Sequence, residues 1–171
     1  MRIIMRGGAS METFTVCFFG HRQVENPFEI EARLDYILRR LIVQKEYIEF
    51  LVGRDGNFDT VASSAIKRAI RSYGYGNTAL TLVLPYDRAE YRKNRNSFLN
   101  YYDEVEVCEE SAGAYYKSAI TIRNRIMAER SDLVICCIQH MSGGAYRAVK
   151  YAKSLKKPII NVAEDILTDN L

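Results

Sequence analysis

Long hydrophobic runs are missing from this sequence: none approaches the roughly 20 residues needed to cross a bilayer, which excludes a membrane span. The first ten residues, MRIIMRGGAS, carry arginines but lack the apolar stretch of a signal peptide. Residues 1–12 therefore read as a flexible leader, upstream of a start at Met11, and residues 13–171 as a single domain. Histidine is scarce: there are two, His21 and His140, and their spacing is no metal-ligand signature. Neither a metal nor a cofactor is implied. Cysteine is limited to four. Cys17 and the Cys136-Cys137 pair lie in strand-like runs, where neighbours point to opposite faces and cannot bond to one another. Buried thiols in a reducing cytosol are the expectation. An excess of charge is also absent. The net charge is +3 and the basic residues are dispersed, so nucleic acid is not the expected partner.

What the chain does have is alternation. FTVCFFG, YIEFLVG and ALTLVLP are continuous apolar runs, as expected of strands covered on both faces. Between the first two, Ile30, Leu34, Ile37, Leu38, Leu41 and Ile42 recur at helical spacing behind Asn26-Pro27. Between the next two, Phe58 to Ile70 repeats the pattern and ends at the glycines of residues 74–76. The charged stretch YDRAEYRKNRNSFLNYYDE reads as an exposed helix. VEVC, DLVICCI and PIINVA are three more strands, separated by helices over Tyr115 to Glu129 and Gly144 to Leu155. Strands that alternate with helices pair in parallel through right-handed crossovers. The expected fold is α/β, a Rossmann-like doubly wound, mainly parallel sheet with helices on both faces. The expected strand order is 3-2-1-4-5-6, counting FTVCFFG as the first.

In such sheets ligands bind beyond the carboxyl ends of the strands, where the order reverses. Four loops end there: Gly20-His21-Arg22, then Gly53-Arg54-Asp55-Gly56 running to Asp59, then Glu109-Glu110-Ser111, then His140-Met141-Ser142-Gly143-Gly144. Gly143-Gly144 joins a strand to a helix N-terminus. Free amides and the helix dipole favour an anion at such a junction, and glycine lets a phosphate approach; a plain tight turn is the alternative. Arg22 and Arg54 are suited to bidentate phosphate contacts or to solvated loop charge. Asp59 either compensates a helix N-terminus or accepts a hydrogen bond from a sugar hydroxyl. The histidines line the site or move a proton. The twelve tyrosines offer stacking surfaces for a base or pack into the core.

Several segments taken together resemble a known group. They are Arg123-Asn124-Arg125 with Met127, Ser131-Asp132-Leu133-Val134-Ile135, and G-G-x-x-x-x-V-x-Y-A-K-x-x-x-K-P-I-I from Gly143 to Ile160. With G-x-x-G-x-F-D-x-x-A from Gly53 to Ala62, the set resembles the YpsA-like branch of the SLOG superfamily. That superfamily includes the DNA-processing protein DprA and the LOG phosphoribohydrolases. The resemblance spans Phe14 to Val162 and implies a Rossmann-like fold that binds nucleotides or nucleotide-derived ligands. It also implies a homo-oligomer. LOG enzymes carry P-G-G-x-G-T-x-x-E; here Ser142, Tyr146, Arg147 and Lys150 replace the proline, the third glycine, the threonine and the glutamate. A lysine opposes an oxocarbenium ion that a carboxylate would stabilise, so cleavage would need Asp59, Glu109 or Glu110 as a substitute.

The functional expectation is a cytoplasmic protein that binds or senses a nucleotide-derived small molecule. Its expected ligand contacts are Gly20, His21, Arg22, Gly53, Arg54, Gly56, Asp59, Ser111, Arg123, Asn124, Ser142, Gly143 and Gly144. The alternatives are an enzyme cleaving the N-glycosidic bond of a nucleoside 5′-monophosphate, with Arg123, Asp59 and Glu109 as catalytic candidates, and single-stranded DNA binding.

Overall fold

In the computed structural model, which describes residues 2–6 and 9–164, the apolar runs become parallel strands of one sheet. The elements in order are β1 (Arg2–Arg6), β2 (Ala9–Gly20), α1 (Pro27–Gln44), β3 (Tyr47–Val52), α2 (Asn57–Tyr73) and β4 (Thr78–Leu84). They continue with α3 (Ala89–Lys93), α4 (Arg95–Tyr101), β5 (Glu104–Val107), a 3-10 turn at Glu109–Ser111, α5 (Tyr116–Arg130), β6 (Leu133–Cys137), α6 (Gly143–Ser154) and β7 (Ile159–Asn161). The sheet runs β5-β4-β3-β2-β6-β7, and all five of these pairings are parallel. It is the doubly wound α/β arrangement, Rossmann-like, that the alternation predicts.

Three features differ from expectation. β5, the VEVC strand, lies on the outer edge beside β4 and not next to β2. Its place beside β2 is taken by β6, so the order reverses between β2 and β6. An edge position suits a four-residue strand that carries Glu104 and Glu106, because charged residues blunt an exposed edge. The second difference is at the amino end. Arg2 to Arg6 pair antiparallel with Ala9 to Thr13, so this part of the expected leader is paired strand. The charged stretch after β4 forms two short helices, α3 and α4, in place of one.

Successive side chains of β2 feed two cores. Val16 and Phe18 join Ile37, Leu38, Phe50, Ile66 and Leu80 beneath α1 and α2. Cys17 and Phe19 join Leu51, Met127, Val134 and Val149 beneath α5 and α6. Cys136 and Cys137 divide between these two faces in the same way, as strand alternation requires. All four cysteines are free and buried. Burial pushes the Cys17 and Cys136 thiols up to about 12 and Cys137 to about 11, so they stay protonated and inert.

Because every crossover is a strand followed by a helix, α2, α5 and α6 all begin at the carboxyl edge of the sheet. The site is built there.

Candidate functional site

The β2–β6 reversal opens a cleft of about 510 Å³, within the size range of small-molecule sites. Eleven of the thirteen expected contact residues line it: Gly20, His21, Arg22, Gly53, Gly56, Asp59, Arg123, Asn124, Ser142, Gly143 and Gly144. Three expected residues are elsewhere, each for a physical reason. Ser111 and Glu109 follow β5 and go with it to the sheet edge. Ser111 is buried and donates to the Pro85 and Cys108 carbonyls, while Glu109 is exposed. Arg54 turns away from the cleft, pairs with Glu90 at 2.9 Å and lies over the Phe98 ring.

The residue beside Arg54 is the one that turns inward. Asp55 accepts a hydrogen bond from Arg123 Nη2 at 2.6 Å and another from Arg88. Burial alone would raise its pKa, but the charges and hydrogen bonds of the two arginines outweigh that and hold the carboxyl below its ordinary 3.8. Arg123 is 3% exposed, on the inner face of α5 beside Ala119 and Met127. Its Nη1 donates to the Val83 carbonyl at 2.6 Å, so one side chain ties α5 to the ends of β4 and β3. Gly53 makes room for it: a Cβ there would lie 2.7 Å from Nη1. Among the described residues the buried Nε of Arg123 has no hydrogen-bond partner.

Asp59, third residue of α2, accepts from the Asp55 and Gly56 amides at 2.7 and 3.2 Å. It thereby caps its own helix, one of its two expected roles. Burial pushes its carboxyl above the ordinary 3.8 despite the opposing pull of Arg123 and these amides. On the far side, the His21 and His140 rings stand 5.5 Å apart, and the His140 amide donates to His21 Nε2 at 3.2 Å. That bond uses the lone pair of the His21 ring and ties the first loop to the last.

At the last loop, Gly143 has φ +88, a left-handed conformation that glycine adopts without strain. Gly144 is of the other kind: a Cβ there would have nothing within 4 Å and would project into open space. Ser142 makes no side-chain cap, and the first turn of α6 has no acidic residue. The amides of α6 are thus left for whatever enters the cleft.

Four polar lining residues were not among the expected contacts: Asp55, Lys117, Thr121 and Arg147. Asp55 stands inside the glycine motif. Lys117, Thr121 and Asn124 are spaced i, i+4 and i+7, which sets them on one face of α5. Arg147 is in the second turn of α6, where the resemblance drew attention to a missing threonine. Arg22, Lys117 and Arg147 form no salt bridge among the described residues, so three cations face the cleft outside any ion pair.

The glycines separate structural from ligand-facing roles. At Gly20 a Cβ would overlap the fully buried Phe58 ring, and overpacking of this kind costs about 1–3 kcal/mol. Gly20→Ala should therefore lower the melting temperature. Gly144→Val should leave it nearly unchanged and abolish ligand binding, because the added carbons occupy only cleft space. Unchanged affinity in Gly144→Val would make that glycine a turn residue and nothing more.

No protein-family model matches the chain, and no curated protein does. Similar solved structures do exist. One is DNA processing protein A from Streptococcus pneumoniae, with TM-score 0.64 and 17% identity over 91% of this chain and 52% of that one. A second is DNA processing protein A from Helicobacter pylori, described for its single-stranded DNA binding mode, with TM-score 0.56 and 16% identity over 85% and 63%. A third is the molybdenum cofactor carrier protein MCP from Chlamydomonas reinhardtii, with TM-score 0.54 and 16% identity over 86% and 75%. The chain spans about half the length of the first and under two thirds of the second. At such identities the likeness is one of architecture: this chain has the Rossmann-like fold seen in the DNA processing protein A structures.

Proposed function

We propose that this protein binds a nucleotide or nucleotide-derived small molecule in the cleft at the carboxyl ends of its strands. The observation that carries the reading is the bare N-terminus of α6, with Gly143 at φ +88 and open space over Gly144. Arg22, Lys117 and Arg147 line the same cleft without carboxylate partners among the described residues. Phe18, Phe19, Ile120 and Met127 supply an apolar portion against which a base or sugar can pack. The role is binding or sensing. Glu109 is away from the cleft, Lys150 stands in place of a carboxylate and Asp55 is held by Arg123 and Arg88, which leaves Asp59 as the acidic candidate for bond cleavage. Its Oδ2 is already engaged by two amides. Incubation with a panel of nucleoside 5′-monophosphates, followed by chromatography for free base, separates the two. Binding without release supports a sensor; release that disappears in Arg123→Ala makes it an enzyme.

A second reading, single-stranded DNA binding, has its own observation. Tyr115 and Tyr116 are 66% and 48% exposed, stand 4.7 Å apart and adjoin Lys117 at the cleft. Aromatic rings beside cations form stacking platforms for unpaired bases. The Helicobacter pylori neighbour is described as binding single strands. The free thiols fit a reducing compartment, and we place the protein in the cytosol. We also expect a homo-oligomer, most simply a two-fold dimer. Sedimentation giving a monomer at micromolar concentration would remove that expectation.

A further inference from the structure

Helix α5 presents a polar stripe to the cleft. Ala119, Arg123, Met127 and Ala128 form its buried side. Lys117, Thr121 and Asn124 line the cleft along successive turns, from the first turn inward. The helix has no acidic residue in its first turn and its N-cap, Tyr115, makes no side-chain bond. A lysine in that turn opposes the helix dipole, the reverse of ordinary helix chemistry. Thr121 donates to the Lys117 carbonyl at 3.3 Å and keeps its oxygen lone pairs free. Among the described residues Asn124 has no hydrogen-bond partner, and Lys117 meets only the face of the Tyr116 ring.

This stripe stands apart from the anion position at Gly144. α5 and α6 lie side by side on one face of the sheet, sharing the core of Met127, Ala128, Ala148 and Val149. Packed helices are about 8–10 Å apart between axes, and both of these begin at the same sheet edge. Two of the helix N-termini at the cleft therefore lack both a side-chain cap and an acidic first turn, and each has a cation beside it: Arg147 on α6 and Lys117 on α5. Between them Arg123 lines the cleft, its buried Nε without a partner among the described residues. A single phosphoryl group at Gly144 leaves the second N-terminus unused.

We infer that the cleft takes a nucleotide with two phosphoryl groups, one at the start of α6 and the other held by Lys117 at the start of α5. The inference rests on the nucleotide reading above and goes further in naming the ligand class. A 5′-diphosphate and a 3′,5′-bisphosphate share this chemistry and differ in whether the second group follows the first or lies across the sugar.

Calorimetric titration of the full chain with the 5′-monophosphate, 5′-diphosphate and 3′,5′-bisphosphate of adenosine and guanosine tests it at fixed ionic strength. One of the two-phosphoryl forms should bind about tenfold or more tightly than its monophosphate, as a charge-assisted contact allows. The form that does so identifies the spacing. In Lys117→Ala and Lys117→Gln that ratio should fall to within about threefold. Arg22→Ala should weaken all the nucleotides together. Equal affinities in the wild type, or a ratio that survives both Lys117 substitutions, would overturn the second subsite and leave the nucleotide reading intact. No binding by any nucleotide would remove both. Oligothymidylate that binds more tightly than every nucleotide, with the same Lys117 dependence, would assign these cations to a DNA strand instead.

Discussion

Asp55→Asn should lower the melting temperature by about 6–12 °C. Asp55 is the carboxylate partner of Arg123, which is 3% exposed and cannot turn to water for a replacement. Breaking one side of a buried pair typically costs about 3–5 kcal/mol, because the other charge stays buried and uncompensated. Asp59 lies close enough to supply part of the missing charge, which puts the cost near about 3 kcal/mol. A domain of this size loses about 2–4 °C for each kcal/mol. The effect should exceed that of Arg54→Ala, where a half-exposed pair with Glu90 is lost. A melting temperature unchanged within a degree in Asp55→Asn would show that the Arg123 pair does not hold the loop.

The same substitution should change how stability depends on pH. The folded pKa of Asp55 lies below its ordinary value, so its contribution is complete above 3.8 and drains as pH falls through the lower folded value. Asp59 works in the opposite sense. Burial raises its folded pKa, so the folded state takes up a proton first, and acidification toward 3.8 relieves a cost. The two neighbours partly offset one another in the wild type. Removing Asp55 alone should therefore flatten the acid limb of the stability curve. A curve of unchanged shape would mean that other carboxylates dominate acid unfolding.

The sequence disclosed elements more readily than their order. Continuous runs such as FTVCFFG and DLVICC mark strands because both faces of β2 and β6 are covered, and the burial of every residue from Leu133 to Cys137 reflects that. Nothing in periodicity says which strand lies beside which. The signal that could have placed β5 was its own composition, Glu104-Val105-Glu106-Val107, which is that of an edge. Misplacing it carried Glu109 and Ser111 into the expected site. The glycine loops were legible because a strand-to-helix junction with Gly143-Gly144 has few physical uses. Side-chain direction within a loop was not. Arg54 and Asp55 are adjacent, one turned to Glu90 and the other to Arg123, and only the third dimension distinguishes them. The stripe of Lys117, Thr121 and Asn124 was hidden for a related reason. Helical spacing marks a shared face but does not say what that face meets.

The largest ligand effect should be a rise of about 5–10 °C in the melting temperature with a nucleotide, and a much smaller one with its nucleoside. A ligand that binds only the folded state adds about 2.7 kcal/mol at a hundredfold excess over Kd. At about 2–4 °C per kcal/mol this is well outside assay scatter. The difference between the two compounds is the phosphate. It would meet the uncapped amides of α6 and also Arg22 and Arg147, which pair with no carboxylate among the described residues, and each charge-assisted hydrogen bond is worth about 1.5–3 kcal/mol. The nucleoside keeps its contacts with Phe19, Ile120 and Met127 but loses these. Arg22 and Arg147 are exposed, so part of their attraction is Coulombic and screened, and raising the salt should narrow the gap between the two shifts. The helix amides are neutral dipoles at short range, so a residue of the difference should survive high salt. Gly144→Val should erase it at every ionic strength. Equal shifts for nucleoside and nucleotide, or none across mono-, di- and cyclic nucleotides and ADP-ribose, would mean that the cleft does not receive a phosphate.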